Sequence, residues 1–228
     1  TPASLSLKRR RRCPDGISCG RMPERYRGSR KGHFSLRSDL GRNSLGQSLG
    51  EVTTVDWATI FEESSPESGA TEQEITILTT QTLAELTESE IVEVDEWRRK
   101  NGQVIEHPLA ARRWNIPNRP FPPSYIEFLR WSNGGEFANG ERQFASFFAI
   151  EEIRDTVLGW EIPEQMNGAI PIGMDGCGGF YLFDMRKEPK ETEYPIVIAH
   201  CGSLAWNDAC VVANSFPDLC IHRTDQWN

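Results

Sequence analysis

Met174-Asp-Gly-Cys-Gly-Gly179 is the first stretch that invites chemistry, because a glycine-dense loop can cradle a phosphate or wrap a cation. It lacks the Lys-Ser/Thr ending of a phosphate loop and lies between two apolar runs rather than ahead of a helix. A calcium loop needs further oxygen ligands at alternating positions. The favoured reading is a β-hairpin turn joining Ala169–Ile172 to Phe180–Phe183, with Gly176, Gly178 and Gly179 free to take positive φ. A second set is Cys177, His200 and Cys201, which offers a nucleophile and base or half a zinc site. His200 and Cys201 are adjacent at an apparent strand end, so their side chains point to opposite faces. The four histidines match no zinc-ligand spacing. Asp175 and Asp184, with Glu161 and Glu164 near in sequence, form the third set, paired carboxylates for acid–base work. Nothing in their spacing fixes a separation, and Asp184 is expected to cap the hairpin or pair with Arg186. We expect no enzyme activity, no metal and no cofactor.

The elements that must position these residues follow from local signals. Pro195 to Ala199 reads as a further strand, with Pro171 and Pro195 at a strand start, an edge or a bulge because neither has an amide donor. Val55 to Phe61 is a short helix or an anchor that docks Trp57 and Phe61, and Ser64–Gly69 reads as a linker. Thr71-x-x-Glu74 and Thr87-x-x-Glu90 match the capping box. The second opens a helix over Glu88–Lys100, closed by cations in its last turn and by Asn101-Gly102. The proline-rich run Trp114–Pro123 must be extended. It delivers the chain to a helix with Tyr125, Phe128, Leu129 and Ser132 on one face, ended by Asn133-Gly134-Gly135. A strand over Gln143–Phe148 leads into a helix carrying Ile150, Ile153 and Val157. Trp160–Gln165 then leads to the hairpin. Ala209, Val212, Ala213 and Phe216 are spaced as a third helical face that Pro217 ends or bends.

Charge divides the chain. Residues 1–50 hold 12 Lys/Arg and 3 Asp/Glu, a net of +9, and residues 51–228 hold the other 13 and 30, a net of −17. The first 50 residues are poor in apolar side chains and read as a disordered basic tail, either solvated or upstream of the working protein. Lys8–Arg12 also suits nucleic-acid binding, and the tail's composition suits a transit peptide. Residues 51–70 are a linker or anchor, and 71–228 the folded domain. Six cysteines without a C-x-x-C pair suit reduced thiols in the cytoplasm. No apolar run reaches the ~20 residues of a membrane span.

The ordered segments Phe121-Pro-Pro-Ser-Tyr-Ile-Glu-Phe-Leu, Asn133-Gly-Gly, Phe148-Ala-Ile-Glu-Glu-Ile, Ile170-Pro-Ile-Gly-Met-Asp-Gly, Tyr181-Leu-Phe-Asp184 and Ala213-Asn-Ser-Phe216 resemble the SUKH superfamily, in its Smi/Knr-type branch. Each segment alone is common; the ordered set is specific. The likeness spans roughly Thr71 to Ile221. It implies an α+β fold, a mainly antiparallel β-sheet with helices packed against it, in one domain. It also implies a non-enzymatic protein-binding role. The family includes bacterial immunity proteins that neutralise a cognate toxin, and a fungal regulatory scaffold of cell-wall synthesis. We expect an immunity protein whose partner is a toxin domain with a basic surface, without direct nucleic-acid or membrane binding by the folded domain. An intracellular scaffold is the alternative, and a small metal- or thiol-dependent hydrolase using His200, Cys201 or Asp175 is the rival from another class. Candidate contacts are loop carboxylates around the hairpin (Glu161, Glu164, Asp175, Glu188, Glu191 and Glu193) with Trp160 or Trp206 as apolar anchor. Core packing is the plainer role for either tryptophan, and a solvated face the plainer role for any one carboxylate.

Overall fold

The structure is a computed structural model that describes residues 55–102, 110–139 and 142–221. The expected tail over residues 1–50 lies outside the described residues. In chain order the elements are α1 (Trp57–Ile60), β1 (Glu63–Pro66), α2 (Glu72–Ile77), α3 (Glu88–Lys100), α4 (Pro123–Trp131), β2 (Gly135–Asn139), β3 (Arg142–Phe147), α5 (Ile150–Gly159), α6 (Ile162–Gln165), β4 (Ala169–Met174), β5 (Gly179–Asp184), β6 (Ile196–His200), β7 (Cys210–Ala213) and α7 (Phe216–Ile221). A π-helical turn over Leu78–Thr82 extends α2, and a 3₁₀ turn over Ala110–Arg113 precedes the extended run 114–122.

The strands form one antiparallel sheet in sequence order, β1 to β7, so every strand pairs with its chain neighbours. This is the expected α+β architecture. Both faces of β5 are covered. Side chains three apart on a strand point to opposite faces. Phe183 meets Tyr125 of α4 and Phe216 of α7 on one face, whereas Phe180 meets Trp160 and Phe148 on the other. That is why β4, β5 and β6 read as unbroken apolar runs rather than alternating ones.

Backbone chemistry sets the element ends. Both capping boxes form: the Thr71 and Thr87 hydroxyls accept from the amides of Glu74 and Glu90, whose carboxylates accept the threonine amides in return. Helix α3 has the expected bounds. Pro123 opens α4 at a position that needs no amide donor, and Gly134 (φ 91°) turns the chain into β2. The hairpin turn places Gly176 and Gly178 at positive φ, while Gly179 has entered β5. Pro171 sits at the register shift between β4 and β5, and Pro195 immediately precedes β6. At the narrow seam between β3 and β4 a side chain on Gly173 would meet Ser146 O at 2.7 Å. The residue type there is dictated by close approach of two backbones.

Two expectations fail. Ser64-Ser-Pro66 is not linker but most of edge strand β1, paired with β2 from Glu63↔Ala138 to Pro66↔Gly135. Its side chains are all exposed, so no burial pattern marks it, and backbone pairing alone makes the strand. Gly69 follows pressed on α4, where a Cβ would meet Arg130 O at 2.0 Å. Ala209–Phe216 is not one helical face. Cys210–Ala213 is β7, with Val197↔Val211 and Ile198↔Cys210 as partners. The apolar spacing fits either state, and pairing with β6 decides it. Pro217 then stands in the first turn of α7, and Ile221 is 52% exposed while Leu219 is buried.

Candidate functional site

Two of the residues offered for catalysis, Asp175 and His200, accept backbone amides. Asp175 Oδ1 accepts from the amides of Cys177 (2.7 Å) and Gly179 (2.8 Å), which pins the hairpin turn. His200 Nδ1 accepts from the Gly202 amide at 3.1 Å. Asp184 binds Arg186 through both carboxylate oxygens, as expected. Cys177, Cys210 and Cys220 form no disulfide, whereas Cys201 is disulfide-bonded. Its thiol is therefore not available as a nucleophile, and the expectation of uniformly reduced cysteines fails at that position. Among the described residues no three His, Cys, Asp or Glu side chains converge as metal ligands, and no helix is long and apolar enough to cross a membrane.

The expected ring of loop carboxylates divides between the two ends of β5. Antiparallel order forces this, because the turn holding Asp175 and the loop holding Glu188, Glu191 and Glu193 lie at opposite ends of that strand. Glu191, exposed and at φ 52°, stands at the tip of the β5–β6 loop. Glu193 points inward and ties two helix starts together, accepting from Ser124 Oγ in α4 and from the Phe216 amide in α7. Burial pushes its carboxyl up against the pull of those two donors. Glu188 meets Arg119 at 2.6 Å.

Glu161 and Glu164 belong to a different structure, one the sequence did not announce. Arg98, in the last turn of α3 with its side chain 7% exposed, donates to both oxygens of Glu161 at 2.8 Å and also to Glu164. Trp114 Nε1 donates to Glu164 at 3.0 Å, and the Arg98 guanidinium lies over the Trp114 ring. These carboxylates fasten α3 to α6 rather than forming a rim.

Trp160 packs edge-on against Phe180 and, with Trp97 and the loop after β6, lines a cleft of about 400 Å³. Trp206 is half-buried on the far side of that loop. Its ring nitrogen donates to Asn167 O, and the Arg186 guanidinium lies 3.6 Å from its ring centre. The structure thus keeps both tryptophans near the surface but gives each a packing partner.

Asp155 of α5 lies within electrostatic reach of carboxylates from both α3 and α5. Burial raises the Asp155 carboxyl above the ordinary aspartate range, and the charges of Glu93, Glu152, Glu151 and Glu90 push it the same way. A raised pKa means that the fold disfavours the charged form. The cost is fully present above the folded-state pKa and vanishes as pH falls below the unfolded one. Asp155→Asn is therefore expected to raise the melting temperature at pH 7 and to lose that advantage near pH 3. A variant less stable than wild type at pH 7 would show that something other than repulsion governs the site.

A seven-stranded antiparallel sheet with helices packed against it defines an α+β domain. Residues 111–221 match the model of the SMI1 / KNR4 family (SUKH-1). The matched stretch runs from the 3₁₀ turn before the proline-rich run to the end of α7, so β1, α2 and α3 are built on in front of it. No curated protein matches the chain.

Proposed function

We propose that this domain is a non-catalytic, protein-binding module of the immunity type, which captures a toxin domain with a basic surface and covers it. The observation that carries this reading is the convergence of Glu93, Glu151, Glu152 and Asp155, beside the Arg154–Glu90 pair, on the α3–α5 side of a SUKH-1 domain. Residues 51–228 carry a net charge of −17, which gives that face a long-range field of the same sign. An enzyme that acts on nucleic acid needs a positive groove for phosphates. An acidic partner is steered to such a groove and fills it. The commitment of Asp175 and His200 to backbone amides supports a role without catalysis.

Affinity capture from the native source, followed by stopped-flow kinetics with the captured partner, tests the reading. The partner should be basic and toxic on its own. Association should slow by roughly tenfold or more between about 20 and 300 mM salt, with dissociation little changed. Reversing Glu151 and Glu152 to lysine should slow association further. A salt-insensitive association rate, unchanged by that double reversal, would remove the acidic face from the reading. A basic partner that is an endogenous protein rather than a toxin would move it to the regulatory scaffold.

A further inference from the structure

Beside Trp206 lies a groove of about 590 Å³, whose lining includes Pro117, Asn118, Arg119, Arg186 and Glu188. Pro117 and Pro120 restrain the backbone on either side of Arg119, so its side chain enters the groove from a stiff strap. That side chain is 24% exposed, and Nη1 lies 2.6 Å from Glu188 Oε1. The two charges pair, but the approach is not aligned as a hydrogen bond. The Tyr194 hydroxyl is buried and without a partner, close enough to Arg119 and Glu188 for both charges to act on it. A buried hydroxyl without a hydrogen-bond partner is destabilising, and a bound group that accepts its proton removes that cost. Arg186, in the same lining, is held in place by Asp184 and the Trp206 ring. Glu188, by contrast, comes from a loop and is 81% exposed. A carboxylate so exposed gains little from its ion pair and is readily displaced.

We propose that Arg119 and the Tyr194 hydroxyl form an oxyanion site for a carboxylate or phosphate group, and that Glu188 occupies it as an internal stand-in. A guanidinium presents parallel donors to such a group, and a phenol can add an O–H donor. The site stands apart from the acidic α3–α5 face, so it holds or fails independently of the toxin reading.

The test uses the full chain, with the Arg119 Nε–H and Trp206 indole resonances followed by NMR. Inorganic phosphate or acetate is added at constant ionic strength. Saturable shifts are expected, and the tighter of the two probes identifies the source as phosphate or carboxylate. Arg119→Met should abolish saturation. Glu188→Gln, at an exposed position, should tighten binding by about threefold or more because the internal competitor is weakened. A response that is linear and identical in wild type and Arg119→Met would overturn the site. So would an unchanged affinity in Glu188→Gln, a result that stands even if Arg119→Met fails to fold.

Discussion

Replacing Phe128 with alanine is expected to cost about 3–5 kcal/mol, the largest loss from any single truncation considered for this domain. The ring is fully buried on α4. It meets Trp57 edge-on at 5.4 Å, Phe137 at 5.5 Å, Phe147 at 5.1 Å and Phe216 at 5.1 Å. Those partners come from α1, β2, β3 and α7, so one side chain joins the two ends of the described fold to its sheet. Deleting it removes the transfer energy of the ring and leaves a cavity walled by other rings, which cannot collapse without giving up their own edge-to-face contacts. For a domain of this size the loss corresponds to a fall in melting temperature of roughly 10–15 °C. Urea unfolding should give the same loss from the shift in midpoint, with an unchanged slope. A Phe128→Ala protein that melts within about 3 °C of wild type would mean that the ring cluster is not the core.

The second large effect concerns Arg154, which holds the elements in front of the family-matched stretch. From α5 it donates to both oxygens of Glu90, at 2.7 and 2.9 Å, and to the carbonyls of Gln81, Thr82, Ala84 and Glu85. One guanidinium thereby closes the end of the π-helical turn and clamps the start of α3. Its side chain is 17% exposed and that of Glu90 21%, so water replaces neither partner well. Arg154→Met keeps much of the packing and is expected to cost about 3 kcal/mol, the low end for breaking a pair buried to this degree.

The pH dependence tests the cause. Burial works to raise the Glu90 carboxyl, but the Arg154 hydrogen bonds, with those from Thr87, outweigh it and hold the pKa down to about 2. A depressed pKa contributes stability that is present above the ordinary glutamate value of 4.5 and is lost as pH falls toward about 2. The gap between wild type and Arg154→Met should therefore narrow over that window. Glu90→Gln combined with Arg154→Met should be more stable than Arg154→Met alone, because no carboxylate is then left unpaired. A gap that stays constant from pH 6 to pH 2 would assign the loss to packing rather than to charge.

The capping threonines, the proline that opens α4, the bounds of α3 and the glycine turn between β4 and β5 were legible in the amino-acid sequence. Each rests on backbone chemistry that reaches only a few residues: an orphan amide, a fixed φ, a missing Cβ. The buried face of Tyr125, Phe128 and Leu129 was legible for the same reason, since helical spacing alone places it. The ordered motifs also pointed to the SUKH class, which the match over residues 111–221 bears out. What lay beyond reach was every choice made by a distant partner. Ser64–Pro66 is a strand because β2 offers it a free edge, and Cys210–Ala213 is one because β6 does. Glu161 looks like a loop carboxylate until Arg98, 63 positions earlier in the chain, is brought against it. Asp175 and Glu188 are near in sequence yet lie toward opposite ends of β5, because a strand carries the chain away from its own turn. Local propensity is a property of a few adjacent dihedrals and is written into the chain. Strand pairing, ion-pair partners and the gathering of carboxylates between α3 and α5 depend on which segments meet, and only the packed sheet with its helices decides that.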